Sequence, residues 1–293
     1  MTPPENLRGI GLMTGAMATF AIEDMFLKFA ARTLPTGEIL AITALFGCLF
    51  FAAIARTQGQ RTITRAALHP WILARNAGEM VGTYAFITAL AAVPLATVSA
   101  VLQAMPLAVT LGAALFMGER TGWRRWTAIA LGFAGVLIVI RPGMDGFRPA
   151  ALWVLVTVAG LALRDLASRA VPPDVSTSQL SAWGTAAVTV LGLAMMPFQT
   201  AVLPDLWQAA MLTGTVTFGT MGYWLITAAS RTGEVSVVSP FRYARLIFSI
   251  TIGTLVFAEY PDRMTLIGAA IIITSGLYAF ARERALSRTA ATR

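Results

Sequence analysis

Apolar stretches of about 20 residues alternate with short polar segments along the whole chain, at roughly 9–29, 36–55, 69–89, 95–116, 124–141, 149–168, 178–198, 207–229, 235–257 and 264–282. A run of that length matches the hydrocarbon thickness of a bilayer, and an α-helix satisfies its own backbone polar groups there. The pattern therefore predicts an all-α integral membrane protein of ten transmembrane helices. The longest loop is about 56–68, so all chemistry must come from the spans themselves.

Composition agrees: 57% of residues are hydrophobic and 12% are charged, about half the charge of a soluble domain. The net charge of +8 raises nucleic acid as a partner, and the placement of the arginines argues against it. With an even number of spans both termini share a side. That side holds Arg8, Arg56, Arg61, Arg65, Arg120, Arg124, Arg125, Arg169, Arg231, Arg282, Arg284, Arg288 and Arg293, and the other only Arg32, Arg141, Arg148 and Arg263. Such a positive-inside bias places both termini in the cytoplasm, predicts a multi-pass protein of the cell inner membrane, and accounts for the basic charge without nucleic acid. Glu23 and Asp24 interrupt the first stretch where a signal-peptide cleavage site would be prepared, so this span is expected to be retained.

One cysteine, Cys48, excludes an intrachain disulfide, and with a single histidine, His69, no transition-metal cluster of familiar spacing can be assembled. No glycine-rich phosphate loop precedes a Lys-Ser/Thr pair, which argues against an ATP-driven pump. No cofactor and no metal are expected.

The two halves repeat. Ala-Ile-Glu-Asp-Met-Phe-Leu-Lys (21–28) corresponds to Ala-Leu-Arg-Asp-Leu-Ala-Ser-Arg (162–169), so Asp24 maps onto Asp165 and Lys28 onto Arg169. Tyr84-Ala-Phe-Ile-Thr-Ala corresponds to Tyr223-Trp-Leu-Ile-Thr-Ala, and Leu115-Phe-Met-Gly-Glu119 to Leu255-Val-Phe-Ala-Glu259. Five spans is an odd number, so the second copy enters the membrane from the opposite face. The expected domains are a first five-helix repeat at 1–143 and a second, inverted, at 144–293. Inverted repeats are a common architecture of alternating-access transporters.

Over essentially its whole length the sequence resembles the EamA-type branch of the drug/metabolite transporter superfamily. The resemblance rests on the five-plus-five plan, Gly118-Glu119-Arg120, Ser239-Pro-Phe-Arg-Tyr-Ala-Arg-Leu, Glu259-Tyr-Pro-Asp, Leu266-Ile-Gly268 and Ser275-Gly276. It implies a basket of ten helices with spans one, three, four, six, eight and nine around a central cavity. It also implies a carrier of a small organic metabolite: an amino acid or derivative, or alternatively riboflavin- or S-adenosylmethionine-type uptake. Met105 precedes Pro106 where the aromatic amino acid exporters of the superfamily have a tryptophan, so that activity is not assigned.

Nine charges fall inside the predicted spans: Glu23, Asp24, Lys28, Arg75, Glu79, Arg164, Asp165, Arg242 and Arg245. Each costs on the order of 2.5–3.5 kcal/mol at the bilayer centre, so they need compensation or a function. Asp24 with Lys28, Arg75 with Glu79 and Asp165 with Arg169 are four apart and share helical faces. Counted from the span midpoints, the first and last pairs lie at opposite ends of the cavity, which predicts two gates built from Glu23, Asp24, Lys28, Arg164, Asp165 and Arg169.

The nine charges sum to one surplus cation. Arg242 and Arg245 share a face without an acid in their own span, which suggests an anion-binding fork, the competing reading being a cross-helix pair of Arg245 with Glu79 or Glu23. Arg245, Arg242, Glu79, Arg75, Tyr84, Gln103, Tyr223 and Tyr243 are the candidate substrate-binding residues. Glu23, Asp24 and Glu79 are candidate proton carriers. Pro240 and Pro106 each deprive a carbonyl of its helical partner, interrupting spans nine and four. Neighbouring residues on a helix diverge by about 100°, so the adjacent acids Glu23 and Asp24 make no acid–base pair and an intramembrane enzyme is disfavoured. A channel without coupling is the remaining alternative.

Overall fold

The computed structural model describes residues 3–119, 122–144, 146–200, 202–232 and 234–291, with side chains described to residue 282 apart from those of 3, 4, 230, 231, 235 and 236. Arg120 and Arg293 lie outside the described residues, as do the side chains of Arg231, Arg284 and Arg288. The described chain is helical: α1 (Pro3–Ala31), α2 (Thr36–Thr57), α3 (Pro70–Ala92), α4 (Leu95–Leu102), α5 (Met105–Phe116), α6 (Trp123–Ile140), α7 (Leu152–Arg169), α8 (Thr177–Met195), α9 (Leu206–Thr232), α10 (Val235–Val238), α11 (Ala244–Phe257) and α12 (Arg263–Ala291). Each predicted span is present. Span four is divided into α4 and α5 at Gln103–Ala104, with Pro106 in the first turn of α5. Span nine is divided into α10, a 3₁₀ segment Ser239–Tyr243 with Pro240 in its first turn, and α11.

Among the described residues, seven helical stretches are long and apolar enough to cross a membrane: Glu5–Ala31, Thr36–Thr57, Leu95–Phe116, Trp123–Ile140, Pro149–Arg169, Thr177–Phe198 and Arg263–Arg282. The other three expected spans fall short for a physical reason. Span three carries Arg75, Asn76 and Glu79, span eight is rich in glycine and threonine, and span nine is broken and carries two arginines.

The chain divides into two compact units that draw on both halves of the sequence. The first comprises Met1–Met25, Val93–Ala151 and Thr217–Arg293; the second comprises Phe26–Ala92 and Leu152–Val216. In the first unit α6 and α12 pack backbone to backbone: a Cβ on Gly135 would meet the Gly268 carbonyl at 2.9 Å, and one on Gly268 the Gly135 carbonyl at 2.6 Å. Beyond this crossing α6 ends on Arg141 in the left-handed region (φ 53), whose guanidinium pairs with Asp262. Asp262 in turn accepts the Thr265 amide (2.8 Å) at the start of α12.

In the second unit α3 crosses α7 at Gly78, Gly82 and Gly160, where any Cβ would stand within 2.9 Å of the facing helix. Small residues four apart are what let membrane helices approach this closely. Helices α2 and α8 lie antiparallel and are tied at both ends by matching hydrogen bonds. Gly37 N–H donates to Gln199 Oε1 (3.0 Å), and Ser178 Oγ donates to Gln58 Oε1 (2.9 Å). Val202 N–H donates to Glu38 Oε2 (3.3 Å), and Gln179 Nε2 donates to the Arg61 carbonyl (2.7 Å). Gly37 and Ser178, Glu38 and Gln179, Gln58 and Gln199, and Arg61 and Val202 are each 141 positions apart, so one end of the pair is the other turned over.

The same inversion shows where spans four and nine end. Gly118 (φ 68) and Ala258 (φ 52) both adopt the left-handed conformation that terminates a helix. Glu119 N–H then reaches back to the Ala113 carbonyl (3.3 Å), as Glu259 N–H reaches back to Gly253 (2.9 Å). Glu259 also accepts the Leu95 amide (2.9 Å), capping α4 where Pro94 offers no side-chain acceptor.

Candidate functional site

In the first unit the breaks of spans four and nine meet. Gln103 Nε2 donates to the Tyr243 carbonyl (3.1 Å), joining the residue that ends α4 to the residue that precedes α11. Gln103 and Tyr243 are 140 positions apart, so they are counterparts in the repeat. The prolines do not align, yet the interruptions they accompany do. The Tyr243 ring lies over Gly276, where a Cβ would stand 2.0 Å from the phenolic oxygen.

Two residues after Tyr243, in the first turn of α11, stands Arg245. Its Nη2 donates to both oxygens of Asp24 (2.8 Å each) and its Nε to Oδ2 (3.2 Å). Asp24 is 1% exposed, so the acid is desolvated and almost wholly committed to this partner. The Phe20 ring lies one turn earlier on α1, its centroid 5.4 Å from the guanidinium carbon. Glu23 feels Arg245 and Asp24 electrostatically and rests against α9: a Cβ on Gly219 would meet its Oε1 at 2.6 Å.

This geometry corrects the sequence-based pairing. Arg245 is not the unmatched arginine of the span charges, and its partner is Asp24, neither Glu79 nor Glu23. Asp24 is held across helices, which its four-residue spacing to Lys28 could not reveal. Arg242 is exposed and Lys28 is buried (1%), each with contacts of its own.

A second charge cluster lies in the second unit. Glu79 takes Arg75 Nη2 on one oxygen (2.9 Å) and Arg164 Nη1 on the other (3.3 Å). Arg164 Nε then donates to Asp165 (2.8 Å). The i,i+4 pair of Arg75 with Glu79 thus forms as its spacing implied, and α7 joins it through Arg164. The partner so given to Asp165 is its neighbour Arg164, and Arg169 is exposed. Arg75 occupies the place of the missing side chain of Gly184, where a Cβ would stand 1.6 Å from Nη1. Its Nη1 also donates to Asn76 Oδ1 (3.2 Å). Tyr84 packs edge to face on Trp153 (5.6 Å, 88°), and Tyr223 is half-buried on α9.

Sequence reasoning missed the glycines that receive these groups, Gly184 and Gly219, and the Phe20 ring. It also missed the crossing at Gly78, Gly82 and Gly160, although the first two form a legible Gly-x-x-x-Gly.

Paired helix ends related by inversion, an interrupted span at the break, and buried ion pairs on spans one, three, six and nine define a multi-pass membrane transporter and no enzyme. The chain belongs to the EamA-like transporter family, whose profile it matches at residues 7–141 and again at 148–280. It is similar to an S-adenosylmethionine uptake transporter of Rickettsia bellii (25% identity over 284 residues, 96% of each chain). It is also similar to a riboflavin transporter of Vibrio cholerae (29% over 280 residues, 92% of this chain and 91% of that one) and to a pseudopaline exporter of Pseudomonas aeruginosa (25% over 282 residues, 96% of each). A crystal structure with 20% sequence identity shares the fold, with a TM-score of 0.59 over 98% of this chain and 99% of that chain.

Proposed function

We propose that the protein is a secondary active transporter that moves a small organic metabolite across the inner membrane by alternating access, with both termini cytoplasmic and the repeats at 1–143 and 144–293. The observation that carries this reading is the Asp24–Arg245 pair, set beside the interruption of span nine. A buried pair at a broken helix has two energetically distinct arrangements, closed on itself or opened toward a ligand, and a ligand that favours one shifts the equilibrium. Arg164 and Asp165, with Glu79 and Arg75, supply the second such element, and Lys28, Arg169, Arg242, Tyr84 and Tyr223 complete the proposed lining and gates.

Amino acids and their derivatives head the substrate classes, with S-adenosylmethionine and riboflavin suggested by the relatives' names. Protons are the proposed coupling ion. Asp24 and Glu79 are held by arginines, which leaves Glu23 as the foremost carrier. The test is counterflow in proteoliposomes with labelled S-adenosylmethionine, riboflavin and an amino acid panel, run with and without a proton gradient. Exchange that saturates with solute concentration is expected. Flux that stays linear with concentration and ignores the gradient would identify a channel.

A further inference from the structure

We infer that Glu119 and Ser239 belong to a second zipper, the inverted counterpart of one that is closed in this structure, and that the carrier alternates between the two. This rests on the transporter reading above and deepens it. The closed zipper lies in the first unit and joins α4 to α11. Leu95, Ser99 and Gln103 follow one another at four-residue steps along one face of α4 and its C-terminal cap. Leu95 N–H donates to the Glu259 carboxylate (2.9 Å), Ser99 Oγ to Ser249 Oγ (2.7 Å) and Gln103 Nε2 to the Tyr243 carbonyl (3.1 Å). Gly253 lies against the first step, where a Cβ would stand 3.8 Å from Leu95 Cβ.

Every part of this zipper has a counterpart 140 positions away: Glu119 for Glu259, Val235 for Leu95, Ser239 for Ser99 and Val109 for Ser249. The Gln103–Tyr243 contact maps onto itself and is the shared centre. Glutamate and serine are both repeated, and Glu119 follows a left-handed helix end at Gly118 as Glu259 follows one at Ala258. Inversion sets the second group at the opposite end of spans four and nine.

At that end the same positions are arranged differently. Glu119 is exposed where Glu259 is half-buried, and Ser239 and Val109 are half-buried where Ser99 and Ser249 are 1% and 0% exposed. Leu107 of α5 packs with Ala128, Ile129 and Ala279, whereas Val238 of α10 packs with Met13, Met17 and Ala229. The Glu234 amide, next to Val235, donates to Asn6 Oδ1 on α1 (2.9 Å), and its counterpart Pro94 has no amide to give. Two halves of one repeated plan in unlike arrangements are what distinguishes the access states of an inverted repeat. In the opposite state Glu119 accepts the Val235 amide and Ser239 packs on Val109, while Glu259 and Ser249 release their partners.

The test uses the full chain in membranes with Cys48→Ala. One cysteine pair, Ser99→Cys with Ser249→Cys, reports the closed end, and a second, Val109→Cys with Ser239→Cys, reports the other. Both should form a disulfide under mild oxidation, read by peptide mass spectrometry, and each should block counterflow until it is reduced. Glu259→Ala should slow the first crosslink and speed the second by roughly threefold or more, and Glu119→Ala should do the reverse, as expected for loss of one hydrogen bond. Hydrogen exchange on the two glutamate variants alone keeps the test valid if a cysteine pair misfolds. Glu259→Ala should deprotect the segment that starts at Leu95 and protect the one that starts at Val235, and Glu119→Ala the opposite. No crosslink between positions 109 and 239, or changes of the same sign at both ends in either variant, overturns the inference and leaves the transporter reading intact. Reciprocal crosslinks in a protein that shows no saturable counterflow with any solute would uphold the two zippers and remove the transporter reading.

Discussion

Arg245 and Asp24 form a bidentate ion pair across two helices, with Nη2 at 2.8 Å from both carboxylate oxygens and Asp24 1% exposed. Breaking such a pair from one side strands a buried charge, which costs about 3–5 kcal/mol, whereas removing both partners costs far less. Arg245→Gln and Asp24→Asn should therefore each lower the melting temperature in detergent, and the double variant should recover most of the loss. Glu79→Gln should give Arg245→Gln no rescue, because Glu79 is engaged by Arg75 and Arg164. Rescue by Glu79→Gln would mean that the pairing described here is not the one that matters.

The same pair is expected to bias the transport cycle. Asp24→Asn should favour a cavity open to the outside, and Asp165→Asn one open to the cytoplasm, since the two acids occupy inverted positions in the repeat. Cysteine accessibility measured from both sides should shift in opposite directions. A shift in the same direction for both variants would refute a pair of opposed gates.

Gly184 makes the room in which the Arg75 guanidinium sits, 1.6 Å from where a Cβ would be. Gly184→Ala should push Arg75 off Glu79 and cost about 1–3 kcal/mol, in the range of other overpacked sites. Arg75→Ala would itself strand Glu79, so the useful companion is Gly184→Ala combined with Arg75→Gln and Glu79→Gln. The extra methyl should be tolerated in that background, and an undiminished penalty there would show that it clashes with something other than the ion pair.

Asp262 lies in a loop outside the spans. Partial desolvation pushes its carboxyl up, but the Thr265 amide and hydroxyl and the Arg141 guanidinium outweigh this and hold it below the usual carboxylate range. A depressed folded-state pKa contributes stability that is present above the unfolded-state value and is lost as pH falls through the folded-state value. The loss therefore belongs to the acid side of an ordinary aspartate titration, and it is small because Asp262 is 48% exposed. A thermal-shift series at descending pH should show a shallower decline for Asp262→Asn than for the wild type. Identical slopes would remove this contribution.

Topology follows from the arginine bias. A cysteine at Leu203 (96% exposed) should react with an impermeant maleimide in intact cells, and one at Thr57, which is also exposed, only after permeabilisation. The reverse pattern would turn the protein over and exchange the two gates.

The places of the helices were legible because apolar runs of span length mark them, even the three that fall short of a membrane-crossing stretch, and the proline-associated breaks were legible because proline has no amide hydrogen to donate. Which charges meet was not. Spacing assigns a side chain to a face of its own helix, and says nothing about which other helix that face meets; Asp24 has Lys28 four residues on and yet is held by Arg245, 221 residues away. The matched ties between α2 and α8 escaped for the same reason. Gln58 and Gln199 are unremarkable loop glutamines until their helices are known to lie side by side.

The Gln103–Tyr243 hydrogen bond has a consequence for the resting state of the transporter. If the proposed alternating access exchanges the conformations of the two inverted halves, a bond between counterpart residues is remade with donor and acceptor transposed. Here the donor is a side-chain amide and the acceptor a backbone carbonyl. The transposed bond would run from Tyr243 to the Gln103 carbonyl, and a phenol fixed to a ring does not reach where a glutamine amide does. Under the proposed alternating access the two states would then be built from unequal parts at their shared centre, and an empty carrier of this sequence would favour one orientation before any solute or gradient acts on it.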